Sequence, residues 1–480
     1  MKIKNKILKT LIMMGIVASL SACNSGTEQP AATPAPSETK AENTDTKPEE
    51  PAEPTEVTDI VWWTKDRHDQ EFMAEFIEQF NKDNPDINLI QEIYTDNYQQ
   101  TIEIASTTGE LPDIVGLVMG NIVNNLLTRD LLLGLNDYIT PEFKSTFGDD
   151  LFIEGVNMKD GEIFTFPFTG NSTRLIYNKD IFERVGLSGP PKSVEELVEY
   201  SKKITDELSS EGIYGFALPL KGPRSGLVRG FVSIPSMSGM PVAEGFDYSK
   251  GEYDFTGYKT ALEGFREIWA SGAAFPGCES LEIDPLRTQF ADGKIGMYMS
   301  YSHSEYGVYT NQFPTDVEWG YALLPTNEGE IKGSQKMNAG AWFAIAKTTE
   351  NPDKAWRVLE AIYSKDLLVP YYEQSLGVTI LDSVTSVAKQ PDGIAYTAEM
   401  AVQPSDKIWP SGPLAVTPEG PDWGEIFVNA MFDSSINIDA AIEDVNTRYN
   451  EAYQKSMDAG TDVLIKYPNF DPTDPANTMN

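Results

Sequence analysis

The chain has 480 residues, with 73 acidic side chains against 37 basic ones and a formal net charge of −36. A surface this acidic disfavours nucleic acid and anionic lipid and keeps the protein soluble and dispersed. Two cysteines and two histidines exclude a disulfide framework and a zinc site built on Cys/His clusters, and no Asp-rich loop has calcium-binding spacing. No metal and no cofactor is expected.

At the N-terminus, Lys2, Lys4, Lys6 and Lys9 precede an uncharged, mostly apolar run, Leu11–Leu20. A bilayer span needs ~20 apolar residues, so the run has instead the length of a signal-peptide core. It ends in Leu20-Ser21-Ala22-Cys23. That spacing looks like a bacterial lipobox, in which small residues admit the peptidase and the cysteine thiol takes a diacylglyceryl group. The alternative is an ordinary secretory signal with a chance cysteine. Residues 1–22 are therefore expected to be a lipoprotein signal peptide. Cys23 is expected to carry acyl chains that hold the protein on the outer side of the cell membrane without crossing it. Residues 24–56 contain no aromatic, Leu or Ile and are rich in Pro, Ala, Thr and Glu. Such a segment cannot bury apolar surface and reads as a disordered tether. Cys278 is then left unpaired.

The folded part opens with Val57–Trp63 (VTDIVWW), an apolar, β-branched strand. Phe72, Phe76, Ile77 and Phe80 recur at helical spacing over Gln70–Asn81, and Pro85 ends that helix. A strand over Ile87–Ile93, a helix over Tyr98–Ser106 and a strand over Asp113–Val118 follow. Strand–helix alternation predicts parallel β-α-β units with the sheet covered on both faces. The pattern returns with a strand at Arg174–Asn178 and a helix over Val194–Leu208, which has a capping box at Ser193 and Glu196. Strands at Tyr214–Leu218, Ile295–Ser300 and Ala341–Ala346 follow. Helices are expected over Phe255–Ala270, ending at Arg287–Asp292, over Pro352–Tyr363, and through Asp422–Met457. This length exceeds one core and predicts two domains; the class is α/β.

No nucleophile elbow, phosphate loop, dinucleotide fingerprint or metalloprotease motif is present. Gly170-Asn171-Ser172-Thr173 lacks the glycine spacing of a nucleophile elbow. Paired carboxylates are numerous, but the acidic excess makes such pairs expected, so no catalytic residue is assigned and no enzyme is expected.

Residues 57–457 resemble the extracellular solute-binding proteins of ABC transporters, the maltose-type, sugar-binding lipoproteins. The resemblance rests on Phe80-Asn81-Lys82-Asp83-Asn84-Pro85-Asp86-Ile87, on Leu111-Pro112-Asp113-Ile114-Val115, and on Phe166-Pro167 through Leu175-Ile176-Tyr177-Asn178-Lys179-Asp180. It extends through Val185-Gly186-Leu187, Phe290-Ala291-Asp292-Gly293-Lys294-Ile295-Gly296-Met297, Gly340-Ala341-Trp342-Phe343-Ala344-Ile345 and Asn351-Pro352-Asp353-Lys354-Ala355-Trp356. It implies a two-lobed, periplasmic-binding-protein-like fold with a ligand cleft between lobes joined by hinge crossings. Lobe one would be 57–166 plus 334–376 and lobe two 167–333 plus 377–480. Function would be capture of a sugar or oligosaccharide by hinge closure and delivery to the permease subunits of an ABC importer, the receptor acting as a monomer.

Carbohydrate presents apolar C–H faces and a rim of hydroxyls, which aromatic rings and planar polar side chains recognise. The resemblance singles out Trp63 at the end of the first strand, its neighbour Trp62 pointing to the core, and Asp66 in the next turn, otherwise a helix cap. It adds Asn171 at the first crossing and Arg174, a ligand contact or an ion-pair partner. The family tends to place a stacking ring, often Trp, where this chain has Tyr301 and His303. Trp342 at the lobe junction and Trp423 from the C-terminal helices complete the set, with Trp409 a weaker member and Trp319 and Trp356 assigned to the core. Two alternatives remain open. One is a receptor for a non-sugar solute, anionic or peptide, read by Arg67, Arg174, Arg224 or Arg229. The other is a secreted glycoside-processing enzyme.

Overall fold

Apolar runs and amphipathic stretches build strands and helices in the expected order. The computed structural model describes residues 57–477 except 68, 95–96, 118–119, 149–150, 155, 341 and 414–415; Cys23 and the tether lie outside the described residues. The principal elements are β1 (Thr58–Thr64), α1 (Gln70–Asp83), β2 (Ile87–Ile93), α2 (Tyr98–Thr108), β3 (Ile114–Leu117), β4 (Thr169–Asn171), β5 (Thr173–Asn178), α3 (Val194–Leu208) and β6 (Tyr214–Ala217). They continue with α4 (Lys259–Ala270), α5 (Ile283–Ala291), β7 (Ile295–Tyr301), β8 (Trp319–Ala322), β9 (Gln335–Lys336), β10 (Asn338–Gly340), β11 (Trp342–Ile345), α6 (Pro352–Ile362), β12 (Asp406–Lys407), α7 (Trp423–Phe432) and α8 (Ile438–Asp458).

Two four-stranded sheets carry the fold, one in each lobe. The first has the order β11-β3-β1-β2 and the second β8-β5-β7-β6. β1 runs parallel to β2 and β3, while β11 is antiparallel to β3. In the second sheet β7 is parallel to β6 but antiparallel to β5, and β8 is antiparallel to β5. The expected all-parallel sheets are thus mixed. The reason is the chain path: β5 and β11 each enter their sheet directly from a crossing, without a helix to return them in the parallel sense.

Along β1 the alternation is strict at the end that matters. Ile60 and Trp62 are buried and Trp63 faces the other way, half-buried. Trp62 packs edge-on against Phe343, with ring centres 5.1 Å apart. β7 is central and buried along its whole length until Tyr301. In β6, Gly215 allows α3 to sit directly on the sheet, because a Cβ there would stand 2.1 Å from Ser201 O.

Motif residues turn out to be ties between elements. The Asp113 carboxylate accepts from Val61 N at 2.9 Å and also binds the Thr349 hydroxyl. Asn81 Oδ1 accepts from Leu89 N at 2.8 Å, fixing α1 on β2. Asn178 caps the helix that follows it by accepting from Ile181 N at 2.9 Å. Ser193 Oγ accepts from Glu196 N at 3.1 Å, as expected, but the Glu196 carboxylate takes Lys192 N at 2.6 Å rather than the N–H of Ser193.

Two short strands and one extended segment run side by side between the sheets. β4 pairs antiparallel with β10. Residues 378–380 lie along the same strand, with Gly170 N donating to Val378 O at 2.9 Å and Ile380 N to Phe168 O at 3.1 Å. Gly170 is required by the close approach, since a Cβ would stand 2.5 Å from Ile380 Cγ2 and 2.6 Å from Met337 Sδ.

Candidate functional site

Strand β7, parallel to β6, ends beside the crossing, with Ser302 N donating to Ser172 O at 2.7 Å, and ligands of such sheets bind in the loops beyond the carboxyl ends. On the first lobe the comparable position is the end of β1. There the Trp63 ring lies 4.8 Å from Tyr94, and the Tyr98 hydroxyl sits 3.0 Å from Trp63 O and 2.7 Å from Gly116 O. Asp66 is half-buried in the turn, its N–H on Thr64 Oγ1 at 3.1 Å. It is not the cap of α1; that position is held by Asp69, whose carboxylate accepts from the Tyr371 hydroxyl at 3.0 Å. Asn171 ends the crossing strand opposite Asn338, half-buried.

On the second lobe Tyr301 closes β7 and is half-buried, with His303 exposed beside it and the two ring centres 6.0 Å apart. The Arg229 guanidinium lies over the Tyr301 ring at 5.0 Å and donates to Ser300 Oγ at 3.2 Å. Burial raises the Tyr301 phenol above its ordinary range and lowers Arg229. Beneath them is a buried anchor. Glu305 accepts from Ser300 Oγ at 2.7 Å, Tyr298 OH at 2.6 Å and the Arg287 guanidinium at 2.5 and 3.0 Å. Burial alone would raise the Glu305 carboxyl, but Arg287, with Tyr298 and Ser300, brings it below the usual value.

Two expected ligand contacts are overturned by packing. Arg174 is fully buried, and all five guanidinium N–H groups are taken: by both oxygens of Asp406 at 2.6 and 3.2 Å and by the carbonyls of Thr173, Glu399 and Ala401. It is an ion-pair partner with no donor left for a ligand. Gln335 joins it, with Nε2 on Asp406 at 2.9 Å and Oε1 accepting from Thr173 Oγ1 at 2.8 Å. Trp423 is buried at the start of α7 against Phe255 and Phe427, with the Arg224 guanidinium over its ring at 5.7 Å. Its faces are filled by lobe two itself. Trp409 is likewise buried, its Nε1–H on Ser334 Oγ at 3.0 Å, and Trp319 and Trp356 are buried as expected. Trp342 places its backbone opposite Leu117 in the first sheet; its side chain lies outside the described residues.

Sequence reasoning missed Lys336. It sits in β9, two residues before the crossing β10, half-buried, and burial lowers its ammonium group. The segment around it pairs with residues 405–407 (Gln335 N to Ser405 O, 2.9 Å; Met337 N to Lys407 O, 2.7 Å), so the return crossing comes at Asn338–Gly340. Two surface concavities, of about 490 Å³ beside Glu263 and Asn437 and about 220 Å³ beside Asp130 and Lys159, touch none of these residues.

Two α/β lobes joined by adjacent crossings, each with aromatic and polar side chains at its strand ends, have the architecture of a two-lobed binding protein. The family model described as bacterial extracellular solute-binding protein matches residues 62–367, and the chain belongs to that family, the binding components of ABC transporters. Relatives include the putative binding protein BAB2_0491 of Brucella abortus (strain 2308), 22% identical over 298 residues, 62% of this chain and 69% of that one. The sn-glycerol-3-phosphate-binding periplasmic protein UgpB of Agrobacterium fabrum is 28% identical over 164 residues, 31% of this chain and 36% of its own. Among solved structures, apo RafE from Streptococcus pneumoniae superposes with a TM-score of 0.67 at 17% identity, over 84% of this chain and 99% of that one. RafE in complex with raffinose gives 0.61, also at 17% identity, over 83% and 100%. Among the described residues, no helix is long and apolar enough to cross a membrane.

Proposed function

We propose that the chain captures a sugar or oligosaccharide between its lobes and delivers it, by hinge closure, to the permease subunits of an ABC importer. The observation that carries this reading is the set of aromatic and polar groups at the strand ends of each lobe: Trp63, Tyr94 and Asp66 on one, Tyr301 and His303 on the other, with Asn171 on a crossing strand. Rings of this kind stack on the C–H faces of sugars while the polar side chains take hydroxyls. The raffinose complex of RafE is consistent with it at the level of the fold. Trp342 stays a proposed contact on the strength of the family resemblance. Closure requires only that ligand bind the closed form more tightly than the open one. Lobe boundaries near 166–167, 333–334 and 376–377 belong to the same proposal, as does a monomeric receptor held outside the cell membrane by acyl chains on Cys23. No turnover is expected.

Calorimetry against a panel of mono- and oligosaccharides tests the reading. Stoichiometric binding of a saccharide, weakened at least tenfold by Trp63→Ala or Tyr301→Ala, supports it. Binding confined to peptides, amino acids or polyamines overturns it. Labelling with radioactive palmitate that disappears in Cys23→Ala tests the anchor.

A further inference from the structure

In a chain with 73 acidic and 37 basic side chains, most of the described cations either pair with a carboxylate or stand exposed to water. Four arginines are open to anion recognition by sequence, and the structure separates them. Arg174 has spent every donor. Arg224 is paired with Glu244 at 2.9 Å. Arg67 is exposed in the turn after β1. Arg229 differs from all three. It is half-buried and leans on the Tyr301 ring at 5.0 Å, and among the described residues its guanidinium makes one side-chain hydrogen bond, to the neutral Ser300 hydroxyl at 3.2 Å.

Its nearest charges make the deficit sharper. The buried carboxylate below, Glu305, is already committed to Arg287 at 2.5 Å. Lys336 repeats the situation on the neighbouring segment: half-buried beside the crossing, with no ion pair among the described residues. The carboxylate that acts on it, Glu244, is held by Arg224. A desolvated cation without a partner is costly, and a site keeps one where a ligand supplies the anion.

We infer that the sugar captured here is acidic. Its carboxylate or phosphate ester would be held by Arg229 beside Tyr301 at the carboxyl end of β7, with Lys336 as the second cation at the crossing. This rests on the capture reading above and narrows it from carbohydrate in general to carbohydrate bearing a negative group. Arg229 offers a planar fork with one donor on Ser300 and the others on no side chain among the described residues, suited to a bidentate oxyanion, and Lys336 a point charge.

The test is calorimetry on the intact folded protein with matched ligands: galacturonate oligomers against neutral galactose oligomers, hexose phosphates against hexoses, and inorganic phosphate alone. Expected is tighter binding of an acidic sugar than of its neutral counterpart. That preference should shrink about 10- to 100-fold in Arg229→Gln and in Lys336→Gln, weaken with added salt in the native protein, and be partly kept in Arg229→Lys. Thermal melting of each variant checks that it folds, and the salt dependence of the unsubstituted protein gives a second readout if one does not. Equal affinity for neutral and acidic sugars, insensitive to salt, overturns the inference and leaves the capture of sugars standing. A preference for acidic sugars that folded Arg229→Gln and Lys336→Gln retain overturns the assignment of these residues. Binding of phosphate alone, or of no saccharide at all, overturns both the inference and the capture of sugars.

Discussion

A guanidinium stripped of water and bonded at every N–H is held only as long as its counter-charge is present. Asp406→Asn removes that charge and leaves Arg174 buried and uncompensated, at a cost of about 3–5 kcal/mol. The shift in urea midpoint measures it, and a cost near zero would mean that water reaches the pair. Glu305 makes a pH prediction. Its folded carboxyl lies below the ordinary range, so it binds protons less readily folded than unfolded. Its contribution to stability is complete above the unfolded carboxyl value of about 4.3 and is lost as pH falls through the lower folded value. Glu305→Gln should flatten that acid limb in urea titrations at stepped pH. Cys278, fully buried with its Sγ–H on Phe275 O at 3.0 Å, has its thiol pushed up to about 12 by burial. It should resist alkylation in the native protein and react on unfolding, as read by mass spectrometry of its peptide. Residue type alone left Arg174 open between ligand and ion pair and misassigned Trp423. An arginine beside a crossing and a tryptophan opening a helix have the same letters whether they face a cleft or a core, and only the partners from residues 399–406 and from Phe255 decide. Lys336 escaped notice because its signal is the absence of a carboxylate partner, which no sequence pattern encodes.

Helices and strands were far more legible than contacts. The apolar periods of α1, α3 and α6 and the capping residue Ser193 lie in local sequence, and the elements stand where those signals put them. Strand direction is a property of the chain path, so the antiparallel entry of β5 and β11 could not be read from alternation. Helix α4 begins at Lys259 rather than Phe255, because Thr256–Tyr258 forms a preceding 3₁₀ turn. Ser193→Ala removes the acceptor for Glu196 N at the start of α3 and should cost about 1 kcal/mol in chemical denaturation, while Ser193→Thr should cost much less. An unchanged midpoint in the alanine variant would show that Glu196 on Lys192 N suffices as the cap.

Over the whole molecule, the crossings are where the proposed closure would bend the chain. Side chains press on Gly170 from Met337 and Ile380, so Gly170→Ala should overpack the hinge by about 1–3 kcal/mol. Small-angle scattering of the native protein is expected to show contraction when the cognate sugar is added. In the alanine variant the contraction should be smaller and the affinity weaker. A variant that closes and binds normally would place the bending elsewhere.

The same crossings bear on how the protein is made. The edge strand β11 of the first sheet is synthesised only after every strand of the second. Neither sheet's surroundings are complete while the ribosome is still in the middle of the message: lobe one waits for residues beyond 340, and the helices α7 and α8 come last of all. A nascent chain that cannot close its first lobe early leaves apolar strands unpaired for longer. Late completion of this kind also raises the mean sequence separation of contacts, so slow folding after release is expected.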